Sequence, residues 1–370
     1  MTEPRTMTVD ELRSMLARQQ PVTIVDVRPA DERAEWAIPG SRHIDAYERL
    51  KAGDRRVLDA VEVPDGAPVV TVCAAGRTSL IAADVLRERG VDAISLTGGM
   101  KAWSLAWNTA ELQIPGSDTL VVQVRRTGKG CLSYVAGNAG QAVVFDASLD
   151  PDVYLTLAAE RGWKIVAVFD THIHADHLSR SRQLAERAGA TLHLPTQDRV
   201  SFPFEPLRDG DVVAIGSASI EAIAVPGHTN ESVAYLLDGQ VLFTGDTLFL
   251  TSVGRPDLEA TTDEARNRAI LLHRSLQRLL QLPPATTVLP GHVSEPIPFN
   301  DQPLTATLAE IRERVALLRE TENDFVSTIL SRIPPTPPNH GVIVAANEAG
   351  QFPDSDVTDL EAGANRCAIL

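Results

Sequence analysis

Short apolar runs alternate with amphipathic stretches along the first third of the chain. The apolar runs occupy residues 22–27, 69–73 and 93–96. Runs of this length that are rich in Val and Ile are typical of buried strands. Residues 79–89 have the spacing of a helix that ends at Gly90, and Thr8 with Glu11 fits a capping box at the start of an earlier helix. The alternation predicts a parallel sheet covered by helices over residues 1–110.

A second series of apolar runs begins after a segment rich in turn-forming residues. Residues 111–118 end in Ile-Pro-Gly-Ser-Asp and show no periodicity, which predicts a linker. Strand patterns follow at residues 120–124, 131–135 and 142–145, and helical patterns at 152–160 and 265–280. We expect residues 119–370 to form two stacked mixed sheets flanked by helices, with a helical and tail extension at the C-terminal end. The proline-rich stretch 334–338 predicts a stiff connector.

The composition is that of a globular protein with room for two domains. The chain has 370 residues, of which 44% are hydrophobic, and a formal net charge of −15. The negative charge argues against nucleic acid or an anionic membrane as a partner. No apolar run is long enough to span a membrane, and the first residues lack the apolar core of a secretory signal, so we expect a cytoplasmic protein. Three distant cysteines do not make a disulfide framework, and we expect Cys131 to be a buried, inert thiol.

Candidate metal ligands occur where apolar runs end. The run 165–169 is followed by residues 171–177, which have the sequence Thr-His-Ile-His-Ala-Asp-His. Neutral imidazoles and carboxylates at this density are typical of a metal site. The candidates are His172, His174, Asp176, His177, His228, Asp246 and His292. The last three each follow a further apolar run, so a strand that delivers a ligand at its end recurs along the chain. The four remaining histidines stand alone and are expected to be structural or solvent-facing.

These segments, in this order, resemble the metallo-β-lactamase superfamily over residues 119–300. The ligand set alone allows two kinds of metal chemistry. One is a two-zinc hydrolase of the glyoxalase II kind. The other is a single iron held by two histidines and a carboxylate.

A second candidate site lies in the first domain, at Cys73. This cysteine follows a strand and stands in a loop before a helix, so backbone N–H groups and the positive end of the helix can stabilise an anion on its sulfur. The alternative is a buried cysteine that packs as a small hydrophobic residue.

With Asp26-Val27-Arg28, Ile38-Pro39-Gly40 and residues 96–103, the Cys73 loop resembles rhodanese sulfurtransferases over about the first 110 residues. The resemblance implies that Cys73 carries sulfane sulfur as a persulfide. The residues around the bound sulfur compound would be Ala74, Ala75, Gly76, Arg77 and Thr78. Arg77 is the only fixed charge in this loop, which disfavours thiosulfate as the donor. Together the two resemblances imply an α/β chain with an N-terminal rhodanese-like parallel-sheet domain followed by an αββα metallo-β-lactamase sandwich.

Two further segments bear on the choice of metal chemistry. Gly254-Arg255-Pro256-Asp257 and Asn365-Arg366-Cys367 are similar to segments of persulfide dioxygenases (sulfur dioxygenases) that glyoxalase II does not share. That resemblance implies one Fe(II) per chain on His172, His228 and Asp246. It implies hydrogen bonds around these ligands from His174, Asp176, His177 and His292. Arg255 would bind a substrate carboxylate, the alternative being a salt bridge to Asp257, and Cys367 would lie near the site.

Together the resemblances imply oxidation of a low-molecular-weight thiol persulfide by O₂ to sulfite and thiol, coupled to sulfur transfer through Cys73 that makes or uses thiosulfate. The Asp-Tyr that follows the last histidine in glutathione-persulfide enzymes is missing after His292. The resemblance therefore leaves open whether the carrier thiol is of the glutathione type or another. Two alternatives stay open. They are a two-zinc thioester hydrolase fused to a sulfurtransferase, and a non-catalytic sulfur carrier or sensor. A homodimer is among the open oligomeric states.

Overall fold

The computed structural model describes residues 5–59, 61, 66–337, 339–353, 356–363 and 365–369. The elements of the first domain are β1 (Thr6–Met7), α1 (Val9–Ala17), β2 (Thr23–Asp26), α2 (Ala30–Glu35), β3 (Arg42–His43), α3 (Tyr47–Lys51), β4 (Val69–Val72), α4 (Arg77–Glu88), β5 (Ala93–Leu96) and α5 (Gly99–Trp103). The strands form one parallel sheet in the order β1-β5-β4-β2-β3. The predicted parallel sheet and the capping box of Thr8 with Glu11 are confirmed.

The second domain begins with β6 (Asn108–Gln113), β7 (Leu120–Arg125), β8 (Leu132–Asn138), β9 (Gln141–Phe145), α6 (Pro151–Glu160), β10 (Lys164–Phe169), α7 (Ser181–Ala188), β11 (Thr191–Pro195) and β12 (Glu205–Leu207). It continues with β13 (Val212–Ile215), β14 (Ala218–Ala224), β15 (Val233–Leu237), β16 (Val241–Gly245), β17 (Val253–Gly254), α8 (Thr262–Leu279), β18 (Thr287–Pro290), β19 (Ala306–Thr307), α9 (Leu308–Arg314), α10 (Glu322–Ser331), α11 (His340–Ala349), α12 (Val357–Glu361) and β20 (Ala368–Ile369).

Two mixed sheets form the second domain, in the orders β12-β11-β10-β9-β8-β7-β6 and β13-β14-β15-β16-β18-β19. Their inner faces meet in an aromatic core, in which the ring centroids of Phe145 and Phe243 lie 4.1 Å apart and Phe169 stacks on Phe145. Apolar residues of α6 and α7 cover the outer face of the first sheet, and those of α8, α9 and α10 belong to a separate cluster over the second. The predicted αββα sandwich is confirmed, because each sheet buries one face against its partner and the other against helices.

The predicted linker at residues 111–118 is wrong in its first half. Residues 108–113 form strand β6, which pairs antiparallel with β7 along its whole length. Its inward-facing residues are Asn108, Ala110 and the partly buried Leu112, which give only a weak apolar alternation in the sequence. Hydrogen bonding to a neighbouring strand, rather than the hydrophobic pattern, fixes this segment as an edge strand.

The two domains are packed closely against each other. The indole N–H of Trp36 donates to the carbonyl of Thr127 at 3.1 Å, and the rings of Trp103 and Phe299 lie 6.0 Å apart. A Cβ on Gly128 would lie 1.8 Å from the carbonyl oxygen of Trp103, so only glycine allows this approach. These contacts therefore fix the position of the Cys73 loop relative to the metal-binding candidates.

Among the described residues, no helix combines the length and the apolar character needed to cross a bilayer. Of the proline-rich stretch 334–338, Pro338 lies outside the described residues.

Candidate metal centre and sulfurtransferase loop

The histidine-rich loop follows the C-terminal end of β10 and is fixed by the neighbouring strand end. The carboxylate of Asp146, after β9, accepts from the backbone N–H of Thr171 at 2.7 Å and from its hydroxyl at 3.0 and 3.1 Å. The carbonyl of Thr171 accepts from the N–H of Val233. The loop is thus attached to both sheets, as expected for ligands delivered at the ends of parallel strands.

Three side chains meet as a first donor cluster, composed of His172, His228 and Asp246. One donor atom from each lies within 4.8 Å of the others, and all three residues are buried. The Nε2 atoms of His172 and His228 lie 4.0 and 3.7 Å from Oδ2 of Asp246. That oxygen has no hydrogen-bond partner among the described residues. A buried carboxylate oxygen flanked by two imidazole nitrogens at these distances fits a shared metal ion.

Hydrogen bonds on the far side of each ring direct its free nitrogen to the cluster. Since the hydroxyl of Thr171 donates to Asp146, it accepts from Nδ1 of His172 at 2.9 Å. Nδ1 of His228 donates to the carbonyl of Arg255 at 2.7 Å. Burial lowers the pKa of both histidines, that of His172 strongly. Both rings are therefore neutral and hold a lone pair on Nε2, which is the state that binds a metal.

A second donor cluster lies beside the first and contains Cys131, Asp176, His177 and His292. Nδ1 of His292 lies 2.5 Å from Oδ1 of Asp246, and its Nε2 lies 2.8 Å from Oδ2 of Asp176. Burial alone would lower the pKa of His292, but the two carboxylates raise it well above its usual value. His292 thus bridges the two carboxylates, and it helps to lower the pKa of Asp246 despite burial.

His177 and Cys131 complete the second cluster. Nδ1 of His177 lies 3.0 Å from Oδ1 of Asp176, and its Nε2 has no partner among the described residues. Burial would lower the pKa of His177, but Asp176 raises it to about 9. Burial and Asp176 would raise the pKa of Cys131, but His292 and His177 bring it to about 7. Cys131 is buried as expected, and charged neighbours surround this thiol, which the sequence places only on a strand.

The remaining candidates near the metal centre are His174 and Cys367. His174 lies between the rings of His172 and His177, with centroid distances of 4.3 and 4.2 Å, and its Nε2 is 3.2 Å from Asp146. Cys367 is buried within donor distance of Asp246 and His292, and burial raises its pKa strongly. The structure thus brings every histidine and aspartate of the predicted set together, and Cys367 with them.

The N–H groups of Arg255 are taken up by other parts of the chain. Its side chain is fully buried, and its Nε and Nη2 donate to the two carboxylate oxygens of Asp257, both at 2.8 Å. Its other N–H groups donate to the carbonyls of Pro334, Pro335 and Arg366. The salt bridge to Asp257, which the sequence offered as the alternative, is present. This arginine connects β17 to the proline-rich connector and the C-terminal segment.

The Cys73 loop is held between the start of α4 and a pair of glycines. Gly76, at φ +83°, precedes α4, and the loop lies against the Gly98-Gly99 pair. A Cβ on Gly99 would lie 2.2 Å from the carbonyl oxygen of Cys73, which explains the glycine there. The Sγ atom of Cys73 is 3.3 Å from the hydroxyl of Ser79, which also accepts from Ser95. The sequence analysis missed Ser79, although it lies one residue after Thr78.

A buried ion-pair network behind the histidine-rich loop was also missed. Glu361 of α12 accepts from the N–H of Leu178 at 2.8 Å and from Arg180 at 2.5 Å, and forms an ion pair with Arg126. Arg126 in turn donates to the carbonyl of Ser104 in the first domain at 2.7 Å. Glu361, Arg126 and Arg180 are charged residue types that are usually found at the surface. The network is therefore visible only in the buried contacts of the folded chain.

Comparisons with known proteins agree with this architecture. Residues 8–106 match the rhodanese-like domain, and residues 126–292 match the metallo-beta-lactamase superfamily. A hydroxyacylglutathione hydrolase from Methylococcus capsulatus is 35% identical over 195 residues, which are 50% of this chain and 73% of that protein. One from Brucella ovis is 36% identical over 152 residues, or 40% of this chain and 56% of that protein.

Two solved structures are similar in fold. ETHE1 from Myxococcus xanthus superposes with a TM-score of 0.54 at 29% identity, covering 66% of this chain and 100% of that one. A metallo-beta-lactamase from Staphylococcus aureus superposes with a TM-score of 0.57 at 24% identity, covering 66% and 74%. The chain therefore belongs to the metallo-β-lactamase superfamily and joins a domain of that fold to an N-terminal rhodanese-like domain.

Proposed function

We propose that the chain is an iron-dependent persulfide dioxygenase with a sulfurtransferase domain. The observation that carries the proposal is that the donor atoms of the two clusters have different contacts. His172, His228 and Asp246 each direct one donor atom to a common point, whereas both ring nitrogens of His292 are bonded to carboxylates. Two histidines and one carboxylate are the ligand set of non-haem iron oxygenases, which leave further positions open for substrate and oxygen.

An iron bound by these three side chains would supply the redox chemistry that joins persulfide sulfur to dioxygen. The chain's own contribution is to position and charge the ligands. His292 donates to Oδ1 of Asp246, so Oδ2 faces His172 and His228. His292 and His177 also place positive charge beside the site, which favours an anionic persulfide. The similarity of residues 254–257 and 365–367 to persulfide dioxygenases, and the structural similarity to ETHE1, fit this function.

For the first domain we propose sulfur transfer through a persulfide on Cys73. The Ser79 hydroxyl and the start of α4 lie where they can stabilise an anionic sulfur. The proposed products are sulfite and the free thiol at the metal site, and thiosulfate where sulfite meets the Cys73 persulfide. The carrier is a low-molecular-weight thiol.

A two-zinc thioester hydrolase is the second candidate. It is favoured by the curated relatives, which are hydroxyacylglutathione hydrolases, and by the presence of Asp176, His177 and His292 beside Asp246, where a second metal could bind. This function would require His292 to lose its proton and leave its two carboxylates. The two functions predict different metals and different consumption of oxygen.

The test is metal analysis of protein purified without added metal, together with oxygen uptake on addition of a persulfide. We expect close to one iron per chain and persulfide-dependent oxygen consumption. His228→Ala should lose both, whereas the exposed His43→Ala should keep both. Two tightly bound zinc ions with oxygen-independent thioester cleavage would refute the dioxygenase and establish the hydrolase.

A further inference from the structure

A cleft between the two domains consists of two neighbouring cavities. Its larger part, of about 390 Å³, is lined on one side by Ala74 and Ala75 of the Cys73 loop. A smaller part, of about 120 Å³, is lined by Ala175 and Asp176 of the histidine-rich loop. The larger part therefore borders the Cys73 loop, and the smaller part borders the second donor cluster at Asp176.

The two cavities share a wall. Glu35 at the end of α2 and Ala362 with Gly363 after α12 line both of them. Glu35 also pairs with Arg366 at 3.0 Å, and Arg366 lines the smaller cavity. Residues from both domains thus build two adjacent cavities that are separated only by this shared wall.

We propose that both catalytic sites open into this shared cleft and that sulfite formed at the metal site crosses it to the Cys73 persulfide. This inference rests on the proposed function. The size of the cleft supports it, because about 390 Å³ is within the range of small-molecule sites and admits a thiol carrier at Cys73. The smaller part, at about 120 Å³, has room for an oxyanion of a few atoms but lies below that range.

The transfer balances without an added oxidant or reductant. The Cys73 thiolate first attacks the outer sulfur of a carrier persulfide, and the carrier leaves as its thiolate. The lone pair on the sulfur of sulfite then attacks the outer sulfur of the Cys73 persulfide. The S–S bond breaks with its electron pair on the Cys73 sulfur, which is again a thiolate, and thiosulfate leaves.

An isotope experiment on the full-length enzyme tests the passage. The enzyme is given oxygen and a persulfide whose outer sulfur is ³⁴S, in the presence of unlabelled sulfite in solution. Sulfite that crosses the cleft keeps its label, so we expect thiosulfate labelled at both sulfurs. Sulfite that leaves into solution is diluted, so only the sulfane sulfur of the thiosulfate would be labelled.

Two variants place a large side chain where the two cavities of the cleft meet, one from each domain. Ala362→Trp fills it from the second domain, and Glu35→Trp from the first, so misfolding of one variant does not remove the test. Both side chains are exposed and belong to neither donor cluster. The doubly labelled fraction should fall about tenfold or more, because nearby linked sites share an effective concentration on the order of millimolar. The exposed Ala159→Trp on α6 is the matched control and should change nothing.

The separate reactions distinguish failure of the passage from failure of the proposed function. Oxygen uptake with persulfide and sulfur transfer to cyanide are each measured alone. If both run normally but the label is diluted in the unmodified enzyme, or the blocked variants keep the doubly labelled product, the passage is refuted. If the unmodified enzyme takes up no oxygen with persulfide, the proposed function fails and the passage with it.

Discussion

The carboxylate of Glu361 lies 2.7 Å from the guanidinium of Arg126, and both side chains are fully buried. The contact joins three parts of the molecule that are far apart in sequence. Glu361 belongs to α12, accepts from Leu178 directly after the histidine-rich loop, and reaches the first domain through the bond of Arg126 to Ser104. The C-terminal segment thereby supports both the metal centre and the domain interface.

Replacement of Glu361 should destabilise the protein strongly. Glu361→Gln leaves Arg126 and Arg180 buried without their counter-charge, and removal of one partner from a buried ion pair costs about 3–5 kcal/mol. We expect a lower thermal midpoint and a lower metal content. Glu160→Gln, at an exposed position on α6, is the control and should leave both unchanged. An unaltered melting curve for Glu361→Gln would contradict the structural role.

The same residue predicts a pH dependence. Burial would raise the pKa of Glu361, but Arg126 and Arg180 lower it from 4.5 to about 2 in the folded chain. A carboxylate with a depressed folded pKa contributes stability above its unfolded pKa, and this contribution is lost as the pH falls towards the folded value. The difference in thermal midpoint between the unmodified protein and Glu361→Gln should therefore shrink between pH 4.5 and 2. A difference that stays constant over this range would show that the charge is not responsible.

Cys73 and Ser79 should act together in sulfur transfer only. Cys73→Ser should abolish transfer of sulfur to cyanide and leave persulfide-dependent oxygen uptake intact. Ser79→Ala should slow the transfer and the alkylation of Cys73, because the hydroxyl 3.3 Å from Sγ no longer stabilises the anionic sulfur. Ser95→Ala, which removes only a donor to Ser79, should have a smaller effect. Equal loss of oxygen uptake in folded Cys73→Ser would mean that the two domains share one catalytic site.

Arg255 should prove to be a structural residue. Arg255→Ala removes a buried, two-pronged bond to Asp257 and three contacts to backbone carbonyls, so the thermal midpoint should fall clearly. Arg366→Ala, which breaks a partly exposed pair with Glu35, should cost less than about 1 kcal/mol. Melting curves and KM for persulfide separate the roles. A large rise in KM for Arg255→Ala without loss of stability would restore the substrate-binding interpretation.

Asp176 distinguishes one metal from two. Asp176→Asn weakens the hydrogen bonds that hold His177 and His292 but leaves His172, His228 and Asp246 unchanged. With a single iron, the iron content should stay near one per chain while oxygen uptake decreases. In a two-zinc enzyme the same substitution would remove about half of the metal. Metal analysis of the variant beside the unmodified protein decides between these outcomes.

The sequence by itself determined the elements and the positions of the chemically important residues. The runs at 69–73, 93–96 and 165–169 are strands within a residue or two of their predicted bounds, because a buried strand needs a short, uninterrupted apolar segment. The metal-binding candidates were also found from local sequence, because their segments begin within a few residues of the end of a strand. The capping box of Thr8 with Glu11 is likewise decided within four residues.

Only the tertiary structure decided the features that depend on partners distant in sequence. Residues 108–113 became a strand because β7 supplies its hydrogen bonds, and Arg255 became structural because Asp257 and the proline-rich connector use its N–H groups. Glu361 and Arg126 have ordinary surface-residue types, yet they are buried because each neutralises the other. His292 and His177 lower the pKa of Cys131, and Asp176 and Asp246 raise the pKa of His292, all through contacts between distant segments. A local pattern contains no information about such pairs, since burial and charge in the folded state depend on which strand ends and loops meet.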